Sequence, residues 1–99
     1  MEIRMSETTV IVHVRAKPGH EEFVGAELDK LLSPTRSEPG CLRYDMFVDA
    51  SDPTHFVFIQ AWESIDAHHV HLEQGHMEAF LITCKGTIAE ATFYHLEDR

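Results

Sequence analysis

Several histidines lie close together in the second half of the chain: His68, His69, His71 and His76. The ordinary pKa of histidine is about 6.5, so its neutral ring can accept a proton near neutral pH and act as a general base. We single out His71 and His76 as candidate catalytic bases, since a helix start at His76 favours a neutral ring. Each has a structural alternative: His76 as a helix cap, and His71 as a side chain packed over a sheet.

A metal site is the second chemistry that these histidines could support. His68 and His71 are three residues apart and would share one side of a helix, but no acidic or cysteine ligand stands at a suitable spacing beside them. The sequence therefore predicts no bound metal. We interpret His68 and His69 as part of a solvated helix face.

Aromatic residues could enclose a flat substrate, and four are the candidates: Phe58, Trp62, Phe80 and Tyr44. Ligand pockets are mostly apolar, so a pouch lined by such rings would suit an aromatic molecule. Trp62 stands at a strand end beside a helix start, and serves either as a pocket wall or as a core residue. Tyr44 either turns its phenol into the pouch or packs across the strands.

The spacing of apolar residues predicts the elements that must position these side chains. A period of two indicates strands over residues 8–16, 41–50, 56–62 and 87–96, and helical periodicity covers residues 20–35, 65–72 and the stretch from 76 onward. We expect a kink or restart at Pro34 with Ser33 as its cap, and Ser64 as an N-cap. The order β-α-β-β-α-β is typical of a ferredoxin-like α+β fold, in which helices cover one face of an antiparallel sheet.

The second face of that sheet needs a cover as well. Residues 41–50 and 56–62 carry apolar side chains on both faces, and a bare apolar patch of that size is rare on a monomer. We therefore expect a two-fold homodimer in which two sheets pack into a barrel-like core.

Composition limits the remaining choices. The chain has 99 residues, so we expect one domain over residues 8–99 after a flexible terminus over residues 1–7. Its formal net charge of −9 disfavours nucleic acid and anionic membrane as partners. Cys41 and Cys84 lack metal-type spacing and are interpreted as small core residues. Without a signal peptide or a membrane-spanning run, the cytoplasm is the expected location.

Three segments carry a family resemblance: PTRSEPGCLRYD at residues 34–45, DPTHFVFIQAWES at residues 52–64, and HLEQGHMEAF at residues 71–80. They closely resemble the antibiotic biosynthesis monooxygenase family, whose members are small dimeric α+β-barrel proteins. The resemblance implies a monooxygenase that oxidises a phenolic or hydroquinone substrate without a cofactor, with molecular oxygen as co-substrate. It implies that His71 or His76 deprotonates the substrate while Trp62 and Phe80 enclose it.

The same scaffold also supports other functions. Residues 41–45, His71 and His76 correspond to segments of the isomerase that processes phosphorylated autoinducer-2, although no phosphate-binding group is evident. Haem-degrading members have an asparagine where this chain has Val12 and a histidine where it has Leu81, which disfavours haem. An isomerase and a non-catalytic, small-molecule-binding dimer therefore remain the alternatives.

Overall fold

The structure, a computed structural model, describes residues 7–99, so the predicted flexible terminus lies outside the described residues except for Glu7. In chain order the elements are β1 (Thr8–Ala16), α1 (Glu21–Asp29), α2 (Leu32–Arg36), β2 (Cys41–Asp49), β3 (Asp52–Trp62), α3 (Ile65–Leu72), α4 (Gly75–Thr83) and β4 (Ile88–Leu96). Each helical region is divided into two short helices. The predicted β-α-β-β-α-β order is confirmed.

The four strands form one antiparallel sheet in the order β2-β3-β1-β4. Residues that lie directly opposite each other in such a sheet point to the same face. Val12 lies opposite Phe58 on one side and Phe93 on the other, and Tyr44 lies opposite Gln60. This register gathers the apolar set of β1 and the aromatic set of β3 on one face, where they are buried.

The helices cover that buried face and complete the core. Val24 and Leu28 of α1, with Leu31 just after it, pack toward the sheet, while α4 and its C-cap contribute Phe80 and Cys84. Cys84 is buried as predicted, whereas Cys41 is half-buried at the start of β2. The core therefore lies between one sheet face and one helix layer, which is the arrangement that the sequence predicts.

The predicted restart near Pro34 occurs, but its details differ. The first helix ends at Asp29, and α2 begins at Leu32 with Leu31 as its N-cap. The prediction of Ser33 as the cap was wrong, because Ser33 lies inside α2. Proline is tolerated in the first turn of a helix, where its missing N–H has no intrahelical acceptor, so the break comes before Pro34 and not at it.

Ser64 is the N-cap of α3, as predicted. Its backbone is extended, and its side-chain oxygen accepts a hydrogen bond of 3.1 Å from the Ala67 backbone N–H. The following helix begins at Gly75, one residue before the predicted start at His76. These two starts set the direction from which the histidines of α3 and α4 approach the sheet.

The second sheet face carries apolar side chains that no helix within residues 7–99 covers. Its exposed or half-buried members are Ile11, Phe47, Val57, Ile59, Tyr94 and Leu96. This is the face that holds His13 and Arg15, while Val12 and Val14 point to the helices. None of the helices formed by residues 7–99 is long and apolar enough to cross a membrane.

Candidate active site

A cavity of about 300 Å³ lies between the sheet and the helices. Its apolar walls come mainly from five elements, β1, α1, β3, α4 and β4, and include Val12, Val14, Leu28, Phe58, Met77, Phe80 and Phe93. Leu81 of α4 and Phe93 of β4 line it and are 62% and 50% exposed, so the cavity opens between α4 and β4. Its volume is at the small end of the range for ligand pockets, which suits a small ring system.

The structure brings four of the six predicted site residues to this cavity and leaves two outside its walls. Tyr44, Phe58, His71 and Phe80 line it. His76 and Trp62 are not among the residues that line it. The cavity also has polar residues that the sequence did not single out as site residues, and Gln60, His68 and Lys85 are among them.

Glu38 links the two candidate bases. Its Oε2 atom lies 2.9 Å from Nδ1 of His71 and 2.6 Å from Nε2 of His76. The Glu38 and His71 side chains are only 6% and 2% exposed, so this is an interior contact. A carboxylate can only accept hydrogen bonds, so each histidine donates an N–H to Glu38. These hydrogen bonds place a proton on Nδ1 of His71 and on Nε2 of His76.

The turn between α2 and β2 places Glu38 at this point. The Glu38 backbone N–H donates to the Thr35 carbonyl at 3.0 Å, and the Cys41 N–H donates to the Glu38 carbonyl at 3.2 Å. Gly40 has a φ of 86°, in the left-handed region that glycine adopts without strain. Glu38 was missed because it lies 33 residues before its partner His71. Its place in the segment at residues 34–45 that carries the family resemblance was the available signal.

His71 is the better placed of the two candidate bases. Its Nδ1 is occupied by Glu38, so Nε2 is the ring atom left to meet a ligand in the cavity. Burial lowers the pKa of His71, and the hydrogen bond and charge of Glu38 oppose that effect. The ring is therefore neutral at neutral pH and has a lone pair at Nε2.

Trp62 is a core residue that packs against the histidines of the cavity wall. It is fully buried, and its ring centroid lies 4.8 Å from that of His71 and 5.8 Å from that of His68. Its indole Nε1 donates a hydrogen bond of 2.9 Å to Oε1 of Gln60. Trp62 therefore contacts three polar side chains that line the cavity, although it does not line the cavity itself.

The interpretation of His68 as a solvated residue was wrong. Its side chain is 1% exposed because the side of α3 that carries His68 and His71 packs on Trp62, while His69 points to solvent. Burial, followed by the charges of His95, His71 and His69, lowers the pKa of His68 to about 4. Its i, i+3 spacing from His71 placed both residues on one helix side, and that side faces the core.

Tyr44 both packs and lines the cavity. Its ring lies against Phe58 and His71, with centroid distances of 5.1 and 5.5 Å. Burial raises the pKa of its phenol well above the ordinary value, with Glu38 adding to the effect. Tyr44 is therefore a neutral phenol at the cavity wall.

Glu38, His71 and His76 are also the residues that could hold a metal ion. Their donor atoms lie within 4.8 Å of one another, and two imidazoles with one carboxylate suit Fe(II), Mn(II) or Zn(II). The sequence did not reveal this acidic third ligand, because Glu38 is far from the histidines along the chain. The two hydrogen bonds to Glu38 satisfy the same atoms without an ion, so the absence of a metal stays a prediction.

Comparisons with known proteins agree with this architecture. The family model described as antibiotic biosynthesis monooxygenase matches residues 8–81. The chain is 33% identical to the "Probable quinol monooxygenase YgiN" of Escherichia coli K12, over 83% of this chain and 88% of the relative. It is similar in structure to PA3566 from Pseudomonas aeruginosa, with a TM-score of 0.93, 28% identity and 99% of both chains covered. A crystal structure named as an antibiotic biosynthesis monooxygenase gives a TM-score of 0.87 and 31% identity, over 93% of this chain and 98% of the other.

Proposed function

Since the chain belongs to the antibiotic biosynthesis monooxygenase family, we propose that it oxidises a small phenolic or hydroquinone substrate with molecular oxygen and without a cofactor. The observation that carries this proposal is His71 at the wall of an apolar cavity, with its Nδ1 hydrogen-bonded to Glu38. Such a cavity accepts a flat ring, and the pair supplies the base that this chemistry needs.

The first step is proton transfer from the substrate. A phenolic O–H in the cavity gives its proton to Nε2 of His71, and Glu38 stabilises the imidazolium through the N–H at Nδ1. A carboxylate behind a histidine sets the tautomer and the ring orientation in the same way in other enzymes. The product of this step is an electron-rich phenolate beside a positively charged ring.

The second step is the reaction of that anion with oxygen. One electron passes from the phenolate to O2, the two radicals combine at a ring carbon, and the resulting hydroperoxide loses water to leave a quinone carbonyl. One oxygen atom stays in the product and the other leaves in water, after protonation by the His71 imidazolium. Phe58, Phe80 and Val12 keep the cavity apolar, which excludes the water that would compete with these steps.

Oxygen consumption tests this function. In chelator-treated buffer, the wild-type protein should consume one O2 per hydroquinone and release a hydroxylated quinone, measured with an oxygen electrode and by absorbance. His71→Ala should lower kcat by roughly 100-fold or more, because it removes the general base. His69→Ala is the matched control, since His69 is an exposed histidine of the same helix, and it should keep wild-type turnover.

Two results would contradict the proposal. If no phenol or hydroquinone consumes oxygen above the uncatalysed rate, the isomerase or the non-catalytic binding dimer gains support. If activity disappears in chelator and returns with Fe(II), Mn(II) or Zn(II), the cofactor-independent mechanism is wrong and the Glu38, His71 and His76 donor set becomes the place to look for the ion.

A homodimer in the cytoplasm is part of the same proposal. The uncovered sheet face, with Ile11, Ile59 and Tyr94 among its apolar members, supports a second copy as its partner. The acidic charge of −9 argues against nucleic acid and anionic membrane as partners. The free thiols of Cys41 and Cys84 suit a reducing compartment.

A further inference from the structure

We propose that Gln60 and His68 form a second polar subsite in the cavity, which binds a second oxygen atom of the ligand apart from the one that meets His71. We call it the Gln60–His68 subsite. The proposal rests on the proposed function for the class of ligand, an aromatic ring that carries oxygen. Its preferred ligand has two ring oxygens, one facing His71 and the other facing Gln60 and His68.

The orientation of the Gln60 amide is determined by Trp62. An indole N–H can only donate, so the atom that receives its 2.9 Å hydrogen bond is the amide oxygen of Gln60. The amide nitrogen of Gln60 is then the atom that does not face Trp62. Gln60 is 3% exposed and lines the cavity, and within residues 7–99 the Trp62 contact is its one side-chain hydrogen bond. Its N–H groups are therefore available to a ligand oxygen.

His68 contributes the second polar atom. Its Nδ1 lies 3.4 Å from Nε2 of His95, whereas its Nε2 is buried and has no hydrogen-bond partner in the described part of the chain. His68 also lines the cavity. Buried polar atoms of native proteins are almost always satisfied, so an unpartnered nitrogen on a residue that lines a cavity indicates a missing ligand or water.

The two side chains together suit both oxidation states of one ligand. A neutral imidazole Nε2 either accepts or donates, depending on its tautomer, while the Gln60 amide nitrogen only donates. A ring hydroxyl can donate to His68 and accept from Gln60, and a quinone carbonyl can accept from both. The subsite therefore binds the reduced substrate and the oxidised product through the same oxygen.

Trp62 has a positioning role in this subsite. Its ring lies against both His68 and His71, and its N–H orients Gln60. One rigid buried side chain thus sets the relative positions of the proposed base and the proposed subsite. Trp62 touches no ligand here, because it does not line the cavity.

Anaerobic binding tests the subsite without any turnover. The probes are 1,4-dihydroxynaphthalene, with two ring oxygens, and 1-naphthol, with one, measured by equilibrium dialysis and by the fluorescence of Trp62, the only tryptophan. The wild-type protein should bind the two-oxygen probe about tenfold tighter, the difference that one or two neutral hydrogen bonds supply. Gln60→Met and His68→Leu should each reduce that preference to about threefold or less, with 1-naphthol affinity nearly unchanged.

The matched control is Met77→Leu, which alters an apolar wall of the same cavity and should keep the tenfold preference. If both Gln60→Met and His68→Leu keep the preference for the two-oxygen probe, or if wild type shows no preference, the proposal is wrong. The Gln60 amide nitrogen and His68 Nε2 are then satisfied by ordered water only. Circular dichroism checks folding. Should either variant not fold, Trp62→Phe is tested instead, with binding measured by equilibrium dialysis. This change removes the hydrogen bond that orients the Gln60 amide, so it must lower the preference for the two-oxygen probe. Because no oxygen is consumed, a failed oxygenase assay leaves this result interpretable.

Discussion

At the residue scale, Glu38 Oε2 is the atom that organises the candidate site. It accepts one hydrogen bond from His71 and another from His76, which leaves Nε2 of His71 to meet a ligand. His76 does not line the cavity, so we assign it a positioning role through Glu38. Burial and Glu38 act in opposite directions on the pKa of His71, and burial is the larger effect.

Glu38→Gln tests this arrangement. Proton abstraction requires neutral His71, so kcat/KM should fall as the pH drops through the pKa of His71, which lies below the ordinary value. The charge of Glu38 raises that pKa, so removing it should move the acid limb of the profile to lower pH. The kcat at neutral pH should fall roughly tenfold or more, because the imidazolium loses its carboxylate. Glu73→Gln, an exposed change next to α3, should leave the profile unchanged; an unmoved acid limb in Glu38→Gln would refute the assignment.

His68 should make the stability of the protein depend on pH. Its pKa is about 4 in the folded protein and about 6.5 when unfolded, so the unfolded chain binds more protons between these values. The free energy of unfolding should therefore have its full value above pH 6.5. It should fall by up to about 3 kcal/mol as the pH drops to 4. Urea unfolding at pH 7 and pH 4.5 should show a smaller pH dependence in His68→Leu than in wild type. His69→Leu is the control, and an equal loss in all three proteins would mean that His68 is not the cause.

At the element scale, the turn between α2 and β2 connects the proposed base to the sheet. The Gly40 carbonyl accepts a 2.8 Å hydrogen bond from the Glu63 N–H at the end of β3. A Cβ atom at Gly40 would lie 2.8 Å from the Cβ of Ala67 on α3. The turn therefore fits closely between β3 and α3, and this fit holds Glu38 against the histidines.

Gly40→Ala and Gly19→Ala form a matched pair that measures this fit. Both glycines have positive φ, 86° and 90°, so both substitutions should cost about 1 kcal/mol of backbone strain. A Cβ atom at Gly19 would meet no other group of residues 7–99 within 4 Å, so the clash with Ala67 is specific to Gly40 and should add about 1–3 kcal/mol. Urea unfolding gives the difference. Equal destabilisation by the two changes would show that the turn is not tightly packed against α3.

At the scale of the whole molecule, the two faces of the sheet have different roles. The helix-covered face carries the core and the cavity, whereas the other face presents Ile11, Ile59 and Phe47, which no helix in the described part of the chain covers. Burying apolar surface is favourable by roughly 25 cal/mol per Å², so pairing two such faces would stabilise a small domain. We therefore expect the cavity-forming chain to work as a dimer.

Ile11→Glu tests the dimer. Ile11 lies on the middle strand pair, opposite Ile59 and Tyr94, and burying a carboxylate there on both copies is strongly unfavourable. Light scattering at micromolar concentration should give a dimer for wild type and a monomer for Ile11→Glu. Ile82→Glu is the control, because Ile82 is a 70% exposed apolar residue on the helix layer, and it should stay dimeric. A monomeric wild type would contradict the proposed partner.

The sequence by itself determined the elements and their order, because strand and helix periodicity, the Ser64 cap and the breaks at glycine and proline are local properties. It also determined that the sheet has two apolar faces, and the family resemblance pointed to His71 or His76. Local spacing did not give the helix break before Pro34 correctly, because several residues there can adopt a helical turn.

Only the tertiary structure decided which side chains meet. Glu38 and His71 are 33 residues apart, and their contact depends on how the turn after α2 packs beside α3. Trp62 does not line the cavity and His68 does, because the side of α3 that carries His68 and His71 packs on the indole. Periodicity defines the faces of a helix or strand, whereas the packing of one element on another decides which face becomes a wall and which atom is left for a ligand.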